Sequence, residues 1–344
     1  MSIKDEFLAK LKTQLDGWQV EVDELEAKAE DAADEIKAEL EEQIANLKVK
    51  FTEGETKFNS MILALENRFM KDMEDIVAQT AVDGRKQVVL LSSGTDSFIV
   101  LAVLRWLIPE RQIHTVTIRG IDNREATAAE MVASHFRTEH TVRTVSLDEI
   151  MANLHLVRGM GYHKLKKILS HVCYHLALSD CSVKGAYVYT GHGAGSLYGN
   201  KQRIYKKVDQ IITEKGISED EARTLLKSEY CATSQAAFLS GDTGTAGVHV
   251  AKIIGNLGAT CILPYRDTRL QYLSNVPFSV IRPFDKAFVK NAVKRRYGLG
   301  AIADRQRMSV QDGTGLYDLL AERVRQLYPE IGPSVSDIAR HLSA

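Results

Sequence analysis

Gln87-Val88-Val89-Leu90-Leu91-Ser92-Ser93-Gly94-Thr95-Asp96-Ser97 is the stretch on which the fold turns. An apolar run rich in β-branched residues passes at once into small hydroxylated ones, so the local order is strand, then turn. Outward from it, residues 98–107 read as a helix stopped near Pro109, and residues 114–118 as a second strand. A further helix is expected at 126–136, a third strand at 141–145, and another buried strand at 186–190 that runs into Gly191-His192-Gly193-Ala194-Gly195. Strands alternating with helices predict an α/β protein, a parallel sheet with helices on both faces, and ligands beyond the carboxyl ends of its strands. Two strand ends loaded with small residues can meet around one nucleotide. From about residue 200 onward the pattern is mainly helical, with breaks at 241–247, Pro264, Pro277 and Pro283.

Upstream, residues 1–82 form a separate helical arm, leaving 83–344 as the α/β domain. The arm is rich in Glu, Lys, Ala and Leu and contains no proline. Leu25, Ile36, Leu40, Ile44, Leu47 and Phe51 recur at spacings near three and four, and Phe58, Ile62, Leu65, Phe69 and Ile76 resume that period after Gly54. Gly54 is therefore the expected interruption in a helical hairpin or coiled-coil arm. An apolar stripe of this length needs a partner, so the arm predicts a homo-oligomer or a docking role.

With 344 residues, 44% of them hydrophobic, the chain has material for one large core. Lys and Arg number 44 against 45 for Asp and Glu, so no global field favours nucleic acid or an anionic membrane, and any phosphate binding must be local. No apolar run approaches the roughly 20 residues of a membrane-spanning helix. Cys173, Cys181, Cys231 and Cys261 are widely spaced, which predicts reduced thiols and a cytoplasmic location.

Between the first buried strand and its helix, residues 92–97 offer hydroxyls, outward-facing amides and one carboxylate beside a helix N-terminus. Such a place suits phosphate oxygens and a magnesium ion. It is not the GxxxxGK[ST] loop, which disfavours γ-phosphate transfer. The segment resembles the SGGxDS pyrophosphate loop of the ATP pyrophosphatases, the PP-loop superfamily. Taken alone, an ordinary capped strand–helix turn is an equally good reading.

The order of later segments makes the resemblance specific. Thr190-Gly191-His192-Gly193-Ala194-Gly195-Ser196-Leu197-Tyr198-Gly199 is similar to the SGxGADELFGG stretch of the synthetase domain of asparagine synthetase and β-lactam synthetase. Leu263-Pro264-Tyr265-Arg266-Asp267-Thr268-Arg269-Leu270, with Val276-Pro277 after it, resembles that family's RxPFLDxxLVEFAxxLP segment. Lys286 heads a helix, and Arg307-Met308-Ser309-Val310-Gln311-Asp312-Gly313-Thr314-Gly315 resembles its KxxxQxGSG loop.

The resemblance implies an adenine nucleotide α-hydrolase-like fold with ATP and Mg2+ as cofactors. Ser92, Ser93, Gly94, Thr95, Asp96, Ser97, Ile118, Gly191 and Gly193 are then the nucleotide-binding set, and Asp96 the magnesium ligand. Arg307 stands where the family places a lysine against the phosphates, and His192 where relatives carry Glu or Tyr near the reacting carbonyl. A histidine with the ordinary pKa of about 6.5 could accept a proton there, although a turn histidine that only hydrogen-bonds its neighbours is an equal alternative. Two departures stand out: Ser93 replaces a glycine, which requires a backbone without positive φ, and Gly195-Ser196 replaces an Asp-Glu pair that supplies a second carboxylate to magnesium.

The implied reaction is ATP-dependent amide formation, in which a small-molecule carboxylate is activated as an acyl-adenylate with release of pyrophosphate and opened by an amine or ammonia, with release of AMP. The glutaminase half is missing, since Ser2 opens a helical arm, so ammonia is expected free or from a separate amidotransferase, unless the substrate carries its own amine. The competing functions are a PP-loop enzyme modifying nucleotides or tRNA, and a catalytically degenerate ATP-binding scaffold. Among other constellations, His163, His171 and His175 could present imidazoles to a metal, but a satisfied helical core is favoured. Lys164, Lys166 and Lys167, with Lys201, Arg203, Lys206 and Lys207, read as solvated helix faces more readily than as an acidic-partner site. Residues 241–247 read as an active-site loop or a long connection.

Overall fold

The computed structural model describes residues 3–30, 32, 34–121, 124–160, 164–198, 207–241, 246–281, 286–303, 315–329 and 335–343. The chain divides into two compact units, one of Met1–Phe69, Tyr198–Glu229 and Tyr272–Ala292, the other of Met70–Leu197, Tyr230–Gln271 and Val293–Ala344. Among the described residues no helix is long and apolar enough to cross a membrane.

In the first unit, α1 (Ile3–Glu30) folds back on the opening part of α2 (Asp34–Ala81) as an antiparallel hairpin. Lys48 Nζ donates to Glu26 Oε1 at 2.7 Å across it. Leu11, Leu15, Val22 and Ala29 are buried, as is Ile44 of the expected apolar stripe, whereas Ile36 of that stripe is 57% exposed. The expected break at Gly54 is not there: the turn falls between Glu30 and Asp34, and Gly54 lies inside α2. A Cβ on Gly54 would stand 2.9 Å from both Leu15 Cδ2 and Trp18 Cζ3, so the glycine lets the two helices approach closely. Gly54→Leu should therefore loosen the hairpin by about 1–3 kcal/mol of overpacking. Gly54→Ala should be near neutral, because its gain in helix propensity, about 1 kcal/mol, offsets a smaller overlap. Amide exchange along α1 checks both: acceleration in Gly54→Leu, little change in Gly54→Ala.

The second unit carries a parallel sheet. In chain order it contains β1 (Gln87–Leu90), α3 (Thr95–Leu107), β2 (Ile113–Arg119), α4 (Arg124–His135), β3 (Glu139–Thr144), α5 (Leu147–Ala152), α6 (Leu165–Ser179), β4 (Tyr187–Tyr189), α7 (Ala194–Tyr198) and β5 (Thr260–Ile262). The strand order is β3-β2-β1-β4-β5, every pair parallel, with Val89 opposite both Thr115 and Tyr189. The expected strands and their helices are all present within a few residues of their predicted bounds. β5 is an addition, a short strand in a region that reads as helical.

Alternation of side chains sorts the two faces. Val88, Leu90, Val116, Ile118 and Val188 join Ile168, Val172 and Leu178 of α6 in one buried cluster, which the Leu316–Leu327 and Val335–Ser343 helices complete. Burying each such side chain contributes about 1.5–3 kcal/mol. Strand residues of opposite parity face the other way. There Tyr189 Oη donates to Gln87 Oε1 at 2.6 Å and lies 2.9 Å from Thr80 Oγ1, which ties the end of α2 to the sheet. At the far end of α3, Arg105 donates to the carbonyls of Phe136 at 2.9 Å and of Pro109 and Arg111 at 2.8 Å, so the helix is stopped by Pro109 and its closing turn is held.

The order reverses direction between β1 and β4: β2 and β3 lie on one side of β1, β4 and β5 on the other. Chains leaving these two strands diverge and open a crevice at their carboxyl ends, the place where α/β sheets of this kind bind ligands.

Candidate nucleotide site

Beyond β1 the chain is held before it turns. Leu91 N–H donates to the Val116 carbonyl at 2.9 Å, and the buried Thr117 Oγ1 donates to the Leu91 carbonyl at 2.8 Å. The following loop closes on itself through hydroxyls. Ser92 N–H donates to Ser97 Oγ at 3.1 Å, the two serine hydroxyls are 2.9 Å apart, and Gly94 N–H donates to Ser92 Oγ at 3.1 Å. Gly94 caps α3 in extended conformation, φ −70° and ψ 149°, without a side-chain cap. The opening amides of α3 and its dipole therefore favour an anion over residues 92–97. Among the described residues, positive φ outside glycine occurs at Arg137, Ser182 and Lys286, so Ser93 adopts none and the serine is tolerated.

Beyond β4, His192 N–H donates to Thr190 Oγ1 at 3.1 Å, with His192 Nδ1 3.2 Å from the same oxygen. Gly191 lies directly on the first turn of α3: a Cβ there would be 2.8 Å from Ser97 N and 2.9 Å from Asp96 Cβ. Tyr265 Oη, donating to the Asp96 carbonyl at 3.1 Å, braces that turn from a third segment. The two small-residue strand ends thus meet, as their sequences predict.

Between them is a cavity of about 170 Å³. Ser92, Gly94, Asp96 and Ser97 form its side on the 92–97 loop, Val116, Thr117 and Ile118 its β2 side, and Thr190, Gly191, His192 and Tyr174 its β4 and α6 side. Ser93 and Thr95 are buried and do not line it, and Gly193, with φ 101°, packs on Arg266. Lys286 immediately precedes the Ala287–Tyr297 helix, while Arg307 lies outside the described residues, as do His163, Gly199, residues 201–206 and residues 242–245. Tyr174 and Thr190 were not singled out by the sequence reading. Tyr174 carries a signal, standing one turn beyond His171 on the same face of α6, with its ring 5.6 Å from His192.

Asp96 is the carboxylate at the cavity, flanked by the Ser92 and Ser97 hydroxyls. Among the described residues no group of three His, Cys, Asp or Glu side chains could hold a metal on its own. An oxygen-lined site with one carboxylate still fits Mg2+, which keeps several waters and needs one or two carboxylates beside substrate phosphates. His171 is buried, with its ring 6.0 Å from His192 and 6.1 Å from His249. The lysines of α6 also divide. Lys166 covers the Tyr317 ring at 4.8 Å, whereas Lys167 is half-buried and its charge acts on His171 and His192.

That environment changes the expected titration of His192. Burial first, then the charges of Lys167 and Arg266, push its pKa down to about 3, and burial holds His171 well below its ordinary value. Both imidazoles are neutral at physiological pH, rather than poised near neutrality as the ordinary value suggests. The unfolded chain takes up these protons from about pH 6.5 downward while the folded chain does not. The His192 contribution to stability is therefore present above that pH and lost as the pH falls toward 3, at up to about 1.4 kcal/mol per pH unit, and His171 acts in the same direction. Urea midpoints should drop between pH 7 and pH 5, and the drop should be shallower in His192→Asn. An equal slope in that variant contradicts the assignment.

Residues 68–223 match the family model for asparagine synthase. The matched stretch, a little under half of the chain, is similar to asparagine synthase domains and holds β1 to β4, the 92–97 loop, Ile118 and the 190–196 turn. The family is one of ATP-dependent synthetases. The match ends before the segments at 263–277 and 307–315. No curated protein matches the chain.

Proposed function

We propose that the protein is an ATP-dependent amide-forming ligase that activates a carboxylate as an acyl-adenylate. The observation that carries this reading is the meeting of the 92–97 loop and the Thr190–His192 turn around one cavity at the β1/β4 crevice, within the family-matched stretch. The α3 amides and the Ser92 and Ser97 hydroxyls cradle the two outer phosphates, which leaves the α-phosphorus facing His192; Thr95, buried behind the loop, supports it without touching them. A carboxylate oxygen of the substrate attacks that phosphorus, the bond to the bridging oxygen breaks, and pyrophosphate leaves with the electron pair. An amine nitrogen then attacks the acyl carbon, AMP departs, and the proton passes to the neutral His192 imidazole or to water. Bound phosphates offset the charges of Lys167 and Arg266 and thereby raise the basicity of His192. Asp96 would hold Mg2+, which would supply charge neutralisation at the phosphates.

Residues 1–82 serve as the oligomerisation or docking arm of the catalytic part, 83–344, and ammonia comes free or from a separate amidotransferase, unless the substrate carries its own amine. The cytoplasm, with its reduced thiols and ATP, is the setting this chemistry suits; all four cysteines are free. The test is pyrophosphate–ATP exchange with a panel of carboxylates, followed by product analysis with added amines. Exchange that depends on a carboxylate, with AMP as the final product, supports the ligase. Exchange that depends on RNA supports the nucleic-acid-modifying alternative, and ATP binding without any exchange supports the scaffold.

A further inference from the structure

Two positions that depart from the family motifs are brought together by Ser234. Ser196, in place of an acidic residue, has its hydroxyl 3.0 Å from Ser234 Oγ. Arg266, at the leucine position of the PFLD pattern, donates from Nη1 to Ser234 Oγ at 2.7 Å and to the Ser234 carbonyl at 3.0 Å. The Arg266 residue is 8% exposed, and its buried Nε has no hydrogen-bond partner among the described residues. Its stem passes beneath the 190–196 turn, where a Cβ on Gly193 would be 3.0 Å from Nε, and its guanidinium lies 5.4 Å from the centre of the Phe238 ring. Two bonds from one nitrogen leave a five-donor group largely unused.

Among the described residues, the charges acting on His192 and on Lys167 are cationic: Lys167 and Arg266 act on His192, and Lys164 and Arg266 on Lys167. Burial is the largest influence on Arg266, followed by Tyr230 and Cys231. Buried cations without a carboxylate partner are costly until an anion joins them.

We propose that Arg266 binds phosphate oxygens of the nucleotide directly, its guanidinium neutralising the pyrophosphate where the family motif places a second carboxylate and its metal. This inference rests on the reading of the cavity as an ATP site, but not on amide formation. Guanidinium suits the task because its planar donors match phosphate geometry. It predicts that pyrophosphate binds without a divalent ion.

Calorimetry on the whole chain with inorganic pyrophosphate, first in EDTA and then in Mg2+, tests it without any carboxylate or amine. The wild type should bind in EDTA, Arg266→Leu should bind at least about tenfold more weakly, and Arg266→Lys should recover part of the loss. Ser196→Glu, which leaves Arg266 in place and pairs it with a carboxylate through the Ser234 position, should weaken EDTA binding to a similar extent. This second variant decides the matter if Arg266→Leu does not fold. Wild-type binding only in Mg2+, unchanged affinity in the variants, or a loss confined to succinate in a parallel titration overturns the proposal. Metal-free binding that depends on Arg266, in a chain showing no exchange activity, upholds it while removing the ligase reading.

Discussion

Replacing Asp96 by alanine is expected to reduce pyrophosphate release by about 10²–10³-fold, the scale on which single charge-stabilising groups act in a pre-organised site. The side chain lies in the first turn of α3 and lines the cavity beside Ser92 and Ser97. Its loss removes a favourable interaction with the helix dipole of about 0.3–1 kcal/mol, too little to unfold the domain. Asp96→Asn, which keeps the shape and removes the charge, should be nearly as inactive as Asp96→Ala. Pyrophosphate release at the wild-type rate in either variant, measured with circular dichroism showing intact folds, means that Asp96 does not hold the metal.

The second large effect is expected at Gly191. A methyl group there meets Ser97 N at 2.8 Å, Asp96 Cβ at 2.9 Å and Asp96 C at 3.0 Å, chiefly backbone atoms of a helix turn that cannot step aside as a flexible side chain can. Gly191→Ala should cost about 1–3 kcal/mol of stability by overpacking. It should also push the 92–97 loop away from the β4 turn, and a displacement near 1 Å is enough for a loss of about 10²-fold in turnover. Thermal unfolding and ATP titration read the two consequences separately. Normal stability with normal nucleotide affinity contradicts the close approach of the two strand ends.

Much of the β1-to-β4 half of the α/β unit was legible because its signals are local. A β-branched run such as Val88-Val89-Leu90-Leu91 followed by hydroxyls and glycine announces a strand and a turn without reference to anything distant. β5 escaped notice because Thr260-Cys261-Ile262 is too short to show a period. It becomes a strand only because β4 lies beside it, pairing Val188 with Cys261. Gly54 misled because glycine marks a break only when nothing packs on it; here Leu15 and Trp18 fill the space over it. The true turn, around residue 32, carries no strong breaker.

In the candidate site, the loop and its partner turn were readable as two small-residue strand ends. The altered titration of His192 was not, since it depends first on burial and then on Lys167, one turn of α6 before His171, and on Arg266, which the sequence shows only as one residue of the 263–270 segment. Arg266 meets Ser196 only through Ser234, on a helix, Glu219–Leu239, that carries none of the quoted motifs.

A crystal structure of the chain with a non-hydrolysable ATP analogue and Mg2+ measures the decisive contact. The β- and γ-phosphates should lie over the amides and hydroxyls of residues 92–97, with the metal on Asp96 and the α-phosphorus facing His192. Phosphates lodged elsewhere, with that loop closed against protein atoms, would contradict the assignment of the cavity and the synthetase chemistry built on it.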